Sequence, residues 1–226
     1  MISSGHACRA CLGPVNRFEL CYACYELFHR QGAPQSLRER IVPMSAALSP
    51  GTWYSWLQTY KAFHPERGGV IAALAFEYTN THTAAVASML GGTPSCWTIV
   101  PSKRGRTYES QPFQRTLSRI GALADRLRET LRLMPGERIE RKEYKPQVFE
   151  CVTDVTNKRV LLLEDTWVTG ATAVSAAGAL LRAGAASVAI MPVARMVETS
   201  FWPEDHPYLV NSRRPYDPWD LSRWPR

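Results

Sequence analysis

Two carboxylates followed at short range by hydroxyls and a glycine make Glu164-Asp165-Thr166-Trp167-Val168-Thr169-Gly170-Ala171-Thr172 the stretch of this chain best suited to chemistry. Gly170 permits a tight turn and close backbone approach. Thr169 and Thr172 offer hydroxyl donors, and a helix starting at Ala171 leaves unpaired N–H groups aimed into the loop. A loop of this kind, Val168 through Thr172, seats a phosphate. Glu164 and Asp165 would repel a bare phosphate, so they call for a different group on the same ligand. A diol donates hydrogen bonds to carboxylates, and a divalent cation binds them directly or through water. A monoester phosphate beside a diol describes a ribose 5-phosphate. The plain alternative is a strand-turn-helix with a capping threonine, but two acids straight after a buried strand are costly without a partner. A Walker-type loop is disfavoured, because no Gly-Lys-Ser/Thr ending follows.

The elements that must position these groups are legible around them. Residues 160–163 are an unbroken apolar run, as in a parallel strand covered on both faces, and 171–183 form a small-residue helix closed by Gly184. A strand at 186–193, joined by a right-handed crossover, completes a parallel pair with the loop at its carboxyl edge. Upstream, Trp53, Trp56, Leu57, Tyr60 and Phe63 fall at helical spacing behind a capping Thr52, an aromatic stripe typical of core. Residues 70–90 read as helix with a break in FEYTNTHT. A strand at 95–100 runs into Pro101-Ser102-Lys103-Arg104-Gly105-Arg106, three cations around a glycine, which makes a second anion loop beside the first. Alone, such a basic turn is more often simply solvated. Phe113, Leu117, Ile120, Ala124, Leu127, Leu131 and Met134 alternate steps of four and three and predict one long amphipathic helix, with Arg115 and Arg119 near the basic loop. A strand is expected at 148–152. Cys96 and Cys151 each sit in apolar strand text as small buried hydrophobes.

Cys8-x-x-Cys11 and Cys21-x-x-Cys24, nine residues apart, supply the four thiolates of a closed structural zinc site. Disulfide pairing or unrelated buried thiols are the alternative. A segment this short builds no hydrophobic core of its own, so the metal would supply folding energy. His6 and His29 read as surface residues.

At 226 residues the chain is long enough for one α/β core and a small appended module. We divide it into a zinc-binding module (1–33), a linker (34–50), the main domain (51–196) and a Pro/Trp-rich tail (197–226). Hydrophobic content of 45% with 21% charged residues is that of a soluble globular protein. No stretch reads as a membrane span or export signal, and clustered cysteines favour a reducing cytoplasm. A net charge of +7 favours an anionic partner, whether a sugar phosphate or nucleic acid.

The text EDTWVTGAT resembles the phosphoribosyl-diphosphate (PRPP) signature of type I phosphoribosyltransferases. That pattern is four apolar residues, two acids, two variable positions, Thr-Thr-Gly, one variable residue and Thr, and Val168 stands where its first threonine would be. The succession of four-cysteine module, helix with Tyr60-Lys61, strand with basic loop, and EDTWVTGAT resembles the ComF family of competence-associated, predicted amidophosphoribosyltransferases over roughly residues 8–195. This implies an open, mainly parallel sheet flanked by helices. It also implies PRPP with its phosphate on Val168–Thr172, its diol on Glu164 and Asp165, and magnesium pyrophosphate near Lys103, Arg104, Gly105 and Arg106. In the family the Arg106–Arg115 region often reads Arg-Gly-Phe-Asn-Gln, whereas this chain has Gln111-Pro112-Phe113-Gln114-Arg115. Two functions follow from the resemblance. One is transfer of the phosphoribosyl group to an unidentified amine or base. The other is a PRPP sensor or single-stranded DNA binder acting with competence machinery. No stretch spells out an acceptor pocket.

Overall fold

Alternation along one strand sets the layout of the molecule. In the computed structural model, which describes residues 5–102 and 106–213, the chain begins with α1 (Tyr22–Tyr25), a π-helical turn Glu26–Arg30 and α2 (Gln35–Arg38). Then come β1 (Ala46–Ser49), α3 (Thr52–Thr59), α4 (Gly68–Thr81), α5 (Thr83–Leu90) and β2 (Cys96–Ile99). The middle holds α6 (Pro112–Leu117), α7 (Gly121–Ala124), β3 (Leu131–Leu133) and β4 (Phe149–Cys151). The last part holds β5 (Arg159–Trp167), α8 (Ala171–Arg182), β6 (Ser187–Glu198) and α9 (Pro207–Ser212).

The main sheet is parallel throughout, in the order β1-β6-β5-β2, with Leu161 opposite Ala189 and Trp97. Val160 and Leu162 point to one face, Leu161 and Leu163 to the other, and all four are fully buried. The first pair packs with Val174, Ala177 and Leu180 of α8 and with the cysteine module, through Cys8, Cys11, Leu27 and Phe28. The second pair packs with Leu57, Tyr60, Ile71, Ala75, Val86 and Phe113 from α3–α6. Each such side chain contributes about 1.5–3 kcal/mol, and a one-residue slip would send every one to the wrong layer, so the register is strongly fixed. The result is a three-layer, mainly parallel α/β fold with a four-cysteine cluster at its amino end. Small residues bring α8 close: a Cβ on Gly178 would lie 2.3 Å from the Tyr144 hydroxyl.

Several expectations differ from what is found. The long amphipathic helix over 113–134 does not form. Its first half is α6 and α7, separated by a turn ahead of Gly121, and its second half is extended. Leu127 bridges to Trp97 on the free edge of β2, and the Leu131-Arg132-Leu133 alternation pairs antiparallel with β4 as a separate two-stranded sheet. A spacing of threes and fours records only that these residues face a core. It was met here by three short elements. Helix α3 stops at Thr59, which leaves Phe63 77% exposed, and Gly51 rather than Thr52 occupies the cap position. Residues 34–50, expected as linker, hold α2 and β1, and β1 is the edge strand of the main sheet. The described part of the tail, 197–213, folds back through α9, where His206 Nε2 lies 3.2 Å from the Val15 carbonyl, and Tyr208 is buried. The break inside 70–90 falls at His82, between α4 and α5.

Candidate functional site

Strand β5 carries the acids of the candidate site past the edge of its neighbour β2, whose pairing with β5 ends at Ile99 and Leu163. Beyond that point a cleft of about 450 Å³ opens at the carboxyl edge of the sheet, the usual place for ligands in open parallel sheets. It is lined by Glu164, Asp165, Val168, Thr169, Gly170, Ala171 and Thr172 on one side. Pro101, Ser102, Arg106 and Gln111 form the opposite wall, and Gln58 and Lys61 stand at the end of α3. The two anion loops inferred from sequence thus border one cleft. Arg106 is exposed on it, whereas Lys103, Arg104 and Gly105 lie outside the described residues. Gln111 is buried and accepts a 2.9 Å hydrogen bond from the Ser102 N–H, which pins the start of the basic loop.

The strand runs through both acids to Trp167 instead of ending at them, so Glu164 and Asp165 leave it on alternate faces. Asp165 takes the Leu163 side and is only 8% exposed. Its Oδ2 accepts a 2.7 Å hydrogen bond from the Tyr60 hydroxyl and an ion pair from Lys61. Burial first, then the charge of Asp165, pushes the Tyr60 phenol well above its ordinary value, so it stays a donor. Tyr60 and Lys61 are the site residues that sequence reasoning missed as such. Tyr60 was assigned to the apolar stripe, and Tyr60-Lys61 entered only as a part of the family resemblance, with no site role given to either.

Gly170 has φ +81°, ψ −3°, and precedes the first turn of α8, whose opening amides have no side-chain cap. A Cβ there would sit 2.0 Å from Trp167 Cζ2. Glycine is therefore demanded by the chain's own packing, independently of any phosphate. Val168 is 49% exposed and presents methyl groups where a threonine would present a hydroxyl.

The sulfurs of Cys8, Cys11, Cys21 and Cys24 all lie within 4.8 Å of one another, and Cys11 and Cys21 Sγ are 3.7 Å apart. A tetrahedral zinc with Zn–S bonds of about 2.3 Å has edges of about 3.8 Å; a disulfide would need about 2.05 Å. All four thiols are free. Hydrogen bonding from Cys21 and Cys24 draws Cys11 well below the usual thiol value, while the hydrogen bond that Cys24 gives to Cys11, together with burial, holds Cys24 well above it. Packed this closely, the thiols do not all ionise together unless a cation sits among them. The donor set, spacing and charge all fit a divalent metal of zinc type. Cys96 and Cys151 stand apart, each held above the usual thiol value by burial.

No protein-family model matches the chain, and no curated protein matches it in sequence. Among solved structures it is similar to a mutant hypoxanthine phosphoribosyltransferase from Trypanosoma cruzi in a ternary substrates complex, at 17% identity and a TM-score of 0.37. It is also similar to an alanine mutant from an analysis of an invariant aspartic acid in HPRTs, at 14% identity and a TM-score of 0.36. Both overlaps cover 58% of this chain and 79% of the other. An overlap this loose says nothing of substrate or activity. No helix among the described residues is long and apolar enough to cross a membrane.

Proposed function

We propose that this chain binds PRPP with magnesium and transfers its phosphoribosyl group to an amine or base, releasing pyrophosphate. One observation carries the proposal: the Val168–Thr172 loop, Glu164 and Asp165, and the loop ending in Arg106 all border a single cleft at the carboxyl edge of the sheet. Its volume of about 450 Å³ suits a small ligand. In this reading the amides at the start of α8, with Thr169 and Thr172, hold the 5-phosphate. Glu164 and Asp165 take the ribose hydroxyls, while Lys103, Arg104, Gly105 and Arg106 attend the pyrophosphate. Magnesium would neutralise charge on the leaving group. As the bond at the anomeric carbon lengthens, positive charge grows on the ribose, which the two acids stabilise, and negative charge grows on the pyrophosphate, which the basic loop stabilises. The four cysteines would hold one structural zinc. Such thiols remain metal ligands in a reducing cytoplasm.

Calorimetric titration with PRPP, with and without magnesium, tests the binding step. Pyrophosphate release on incubation with candidate amines and bases tests the transfer. Absence of magnesium-dependent binding at millimolar PRPP would remove the proposal.

A second reading, favoured by the surface of the cysteine module, is that of a single-stranded DNA binder of the ComF type working with competence machinery. Phe18, Tyr22 and Tyr25 are 71%, 63% and 48% exposed, and Lys142 Nζ stands 4.2 Å over the Tyr22 ring. Exposed rings among cations are the stacking platforms of sequence-tolerant strand binding. Gel-shift titration should show affinity falling steeply with salt; no binding at low salt sinks this reading and leaves the first untouched.

A further inference from the structure

The cleft and the cysteine cluster meet at one side chain, Arg195. It lies on β6 with Ala46 of β1 and Trp167 of β5 as strand partners. Its Nη1 donates to the carbonyls of Trp167 at 3.1 Å, Val168 at 2.9 Å and Met196 at 2.5 Å. The other side of the guanidinium rests on the Gly13 turn of the cysteine module. A Cβ on Gly13 would approach Nε to 2.6 Å and Nη2 to 2.9 Å. Arg195 Nε is buried and has no hydrogen-bond acceptor among the described residues. Cys11 and Cys21 are close enough to act on the guanidinium as charges.

Without metal, Cys11 alone offers the guanidinium a charged partner, since neutral thiols are poor acceptors. Four thiolates on one divalent metal carry a net charge of about −2 and accept N–H donors readily. Metal loading therefore strengthens the hold of the cluster on the Arg195 fork, whose other side already grips the loop. On the cleft side, geometry transmits the hold. A planar peptide fixes C=O and N–H in opposite directions, so gripping the Trp167 and Val168 carbonyls aims the N–H groups of Val168 and Thr169 away from Arg195. Both of those residues line the cleft.

We infer that Arg195 is a positioning residue that couples the four-cysteine metal centre to the Val168–Thr172 loop: the charged cluster holds the guanidinium, and the guanidinium holds the loop. Its value for ligand binding rests on the proposed phosphate-loop function, whereas the link between metal and loop is measurable without ligand. Loss of the metal, by chelation or thiol oxidation, would then loosen a loop that contains no metal ligand.

The test uses the full-length, zinc-loaded protein and amide hydrogen exchange over 166–173. Arg195→Lys keeps the charge but not the fork. Gly13→Ala displaces the guanidinium while every cysteine, the loop and Arg195 itself remain. Both variants should retain their zinc and the protection of the Cys8–Cys24 amides, yet exchange Val168–Thr172 about tenfold faster and bind PRPP about tenfold more weakly, roughly the worth of one hydrogen bond. Chelation should accelerate that loop relative to the β5 and β6 amides in the wild type and add little to that difference in either variant. Loop exchange at the wild-type rate in zinc-loaded Gly13→Ala overturns the inference, as does equal acceleration by chelation in wild type and variants. If Arg195→Lys loses its zinc or fails to fold, Gly13→Ala decides alone. Should the wild type bind no PRPP, the phosphate-loop function fails, and the metal-to-loop link still stands or falls on exchange.

Discussion

Replacing Tyr60 with phenylalanine removes one hydroxyl from a packed ring and so isolates the wiring of Asp165. The lost bond is 2.7 Å long and ends on an acid that is 8% exposed. Hydrogen bonds to charged groups are worth about 1.5–3 kcal/mol. Lys61 remains on the same oxygen, so the loss should fall at the lower end, about 1.5 kcal/mol. For a chain of this size each kcal/mol shifts the melting temperature by about 2–4 °C, which gives about 3–6 °C. The pH dependence carries a sign as well. The phenol is held above its ordinary value of 10 in the folded chain. Its contribution is therefore complete below about pH 10 and is lost as pH rises further, because the unfolded chain releases that proton first. Thermal melts of wild type and Tyr60→Phe from pH 7 to 11 should show a constant gap that narrows at the alkaline end. Combining the change with Lys61→Met measures the coupling between the two partners of Asp165. A melting temperature for Tyr60→Phe within about 1 °C of wild type at pH 7 would refute the claim that this hydrogen bond to the buried acid stabilises the fold.

Gly170→Ala forces a side chain into a left-handed backbone and onto the Trp167 ring, at about 1–2 kcal/mol for the backbone and 1–3 for overpacking. Denaturant unfolding without ligand should show that loss, and wild-type stability would mean the loop relaxes freely. Val168→Thr supplies the hydroxyl missing from the PRPP pattern. One neutral hydrogen bond of about 0.5–1.5 kcal/mol should tighten PRPP by up to tenfold in calorimetry. Elemental analysis should find one zinc per chain, and Cys8→Ser should lower both zinc content and the stability of the whole domain, since Cys8 shares a core with Val160 and Val174. Burial holds the His82 imidazole below its ordinary 6.5. The unfolded chain therefore takes up a proton near pH 6.5 that the folded chain refuses, and stability should fall as pH drops below that value, less so in His82→Gln.

The fold was legible where one element's sequence satisfied one environment. Residues 160–163 are apolar without interruption because both faces of β5 are covered, and Gly184 sits where α8 ends, at φ +93°. Legibility failed where an apolar spacing admitted two periods. Leu127, Leu131 and Met134 fit a helical face on paper, but Leu127 and Leu131 are drawn instead to strand partners, Trp97 and Cys151. No local preference announces a partner supplied by another segment. The same holds for 34–50, whose prolines and serines suggested a linker, although β1 finds its ladder on β6, about 150 residues away in sequence.

The candidate site divides along the same line. Groups contiguous in sequence, Glu164 to Thr172, arrive in the cleft together because a strand-loop-helix unit delivers them as one piece. Groups that tune them do not. Tyr60 lies 105 positions from Asp165 and had a sufficient local explanation as a core aromatic, whereas Arg195 lies 27 positions from Val168 and just beyond the strand expected at 186–193. A buried acid, however, announces that a partner exists even when it does not name one: Asp165 at the end of a run as apolar as Val160–Leu163 has to be paired. The donors available were those that the opposite layer could place within reach of the sheet edge, and the chain leaves α3 there through a tyrosine and a lysine side by side. Burial of the charge thus requires the pair, and packing of α3 on the Leu161 and Leu163 face decides that Tyr60 and Lys61 supply it.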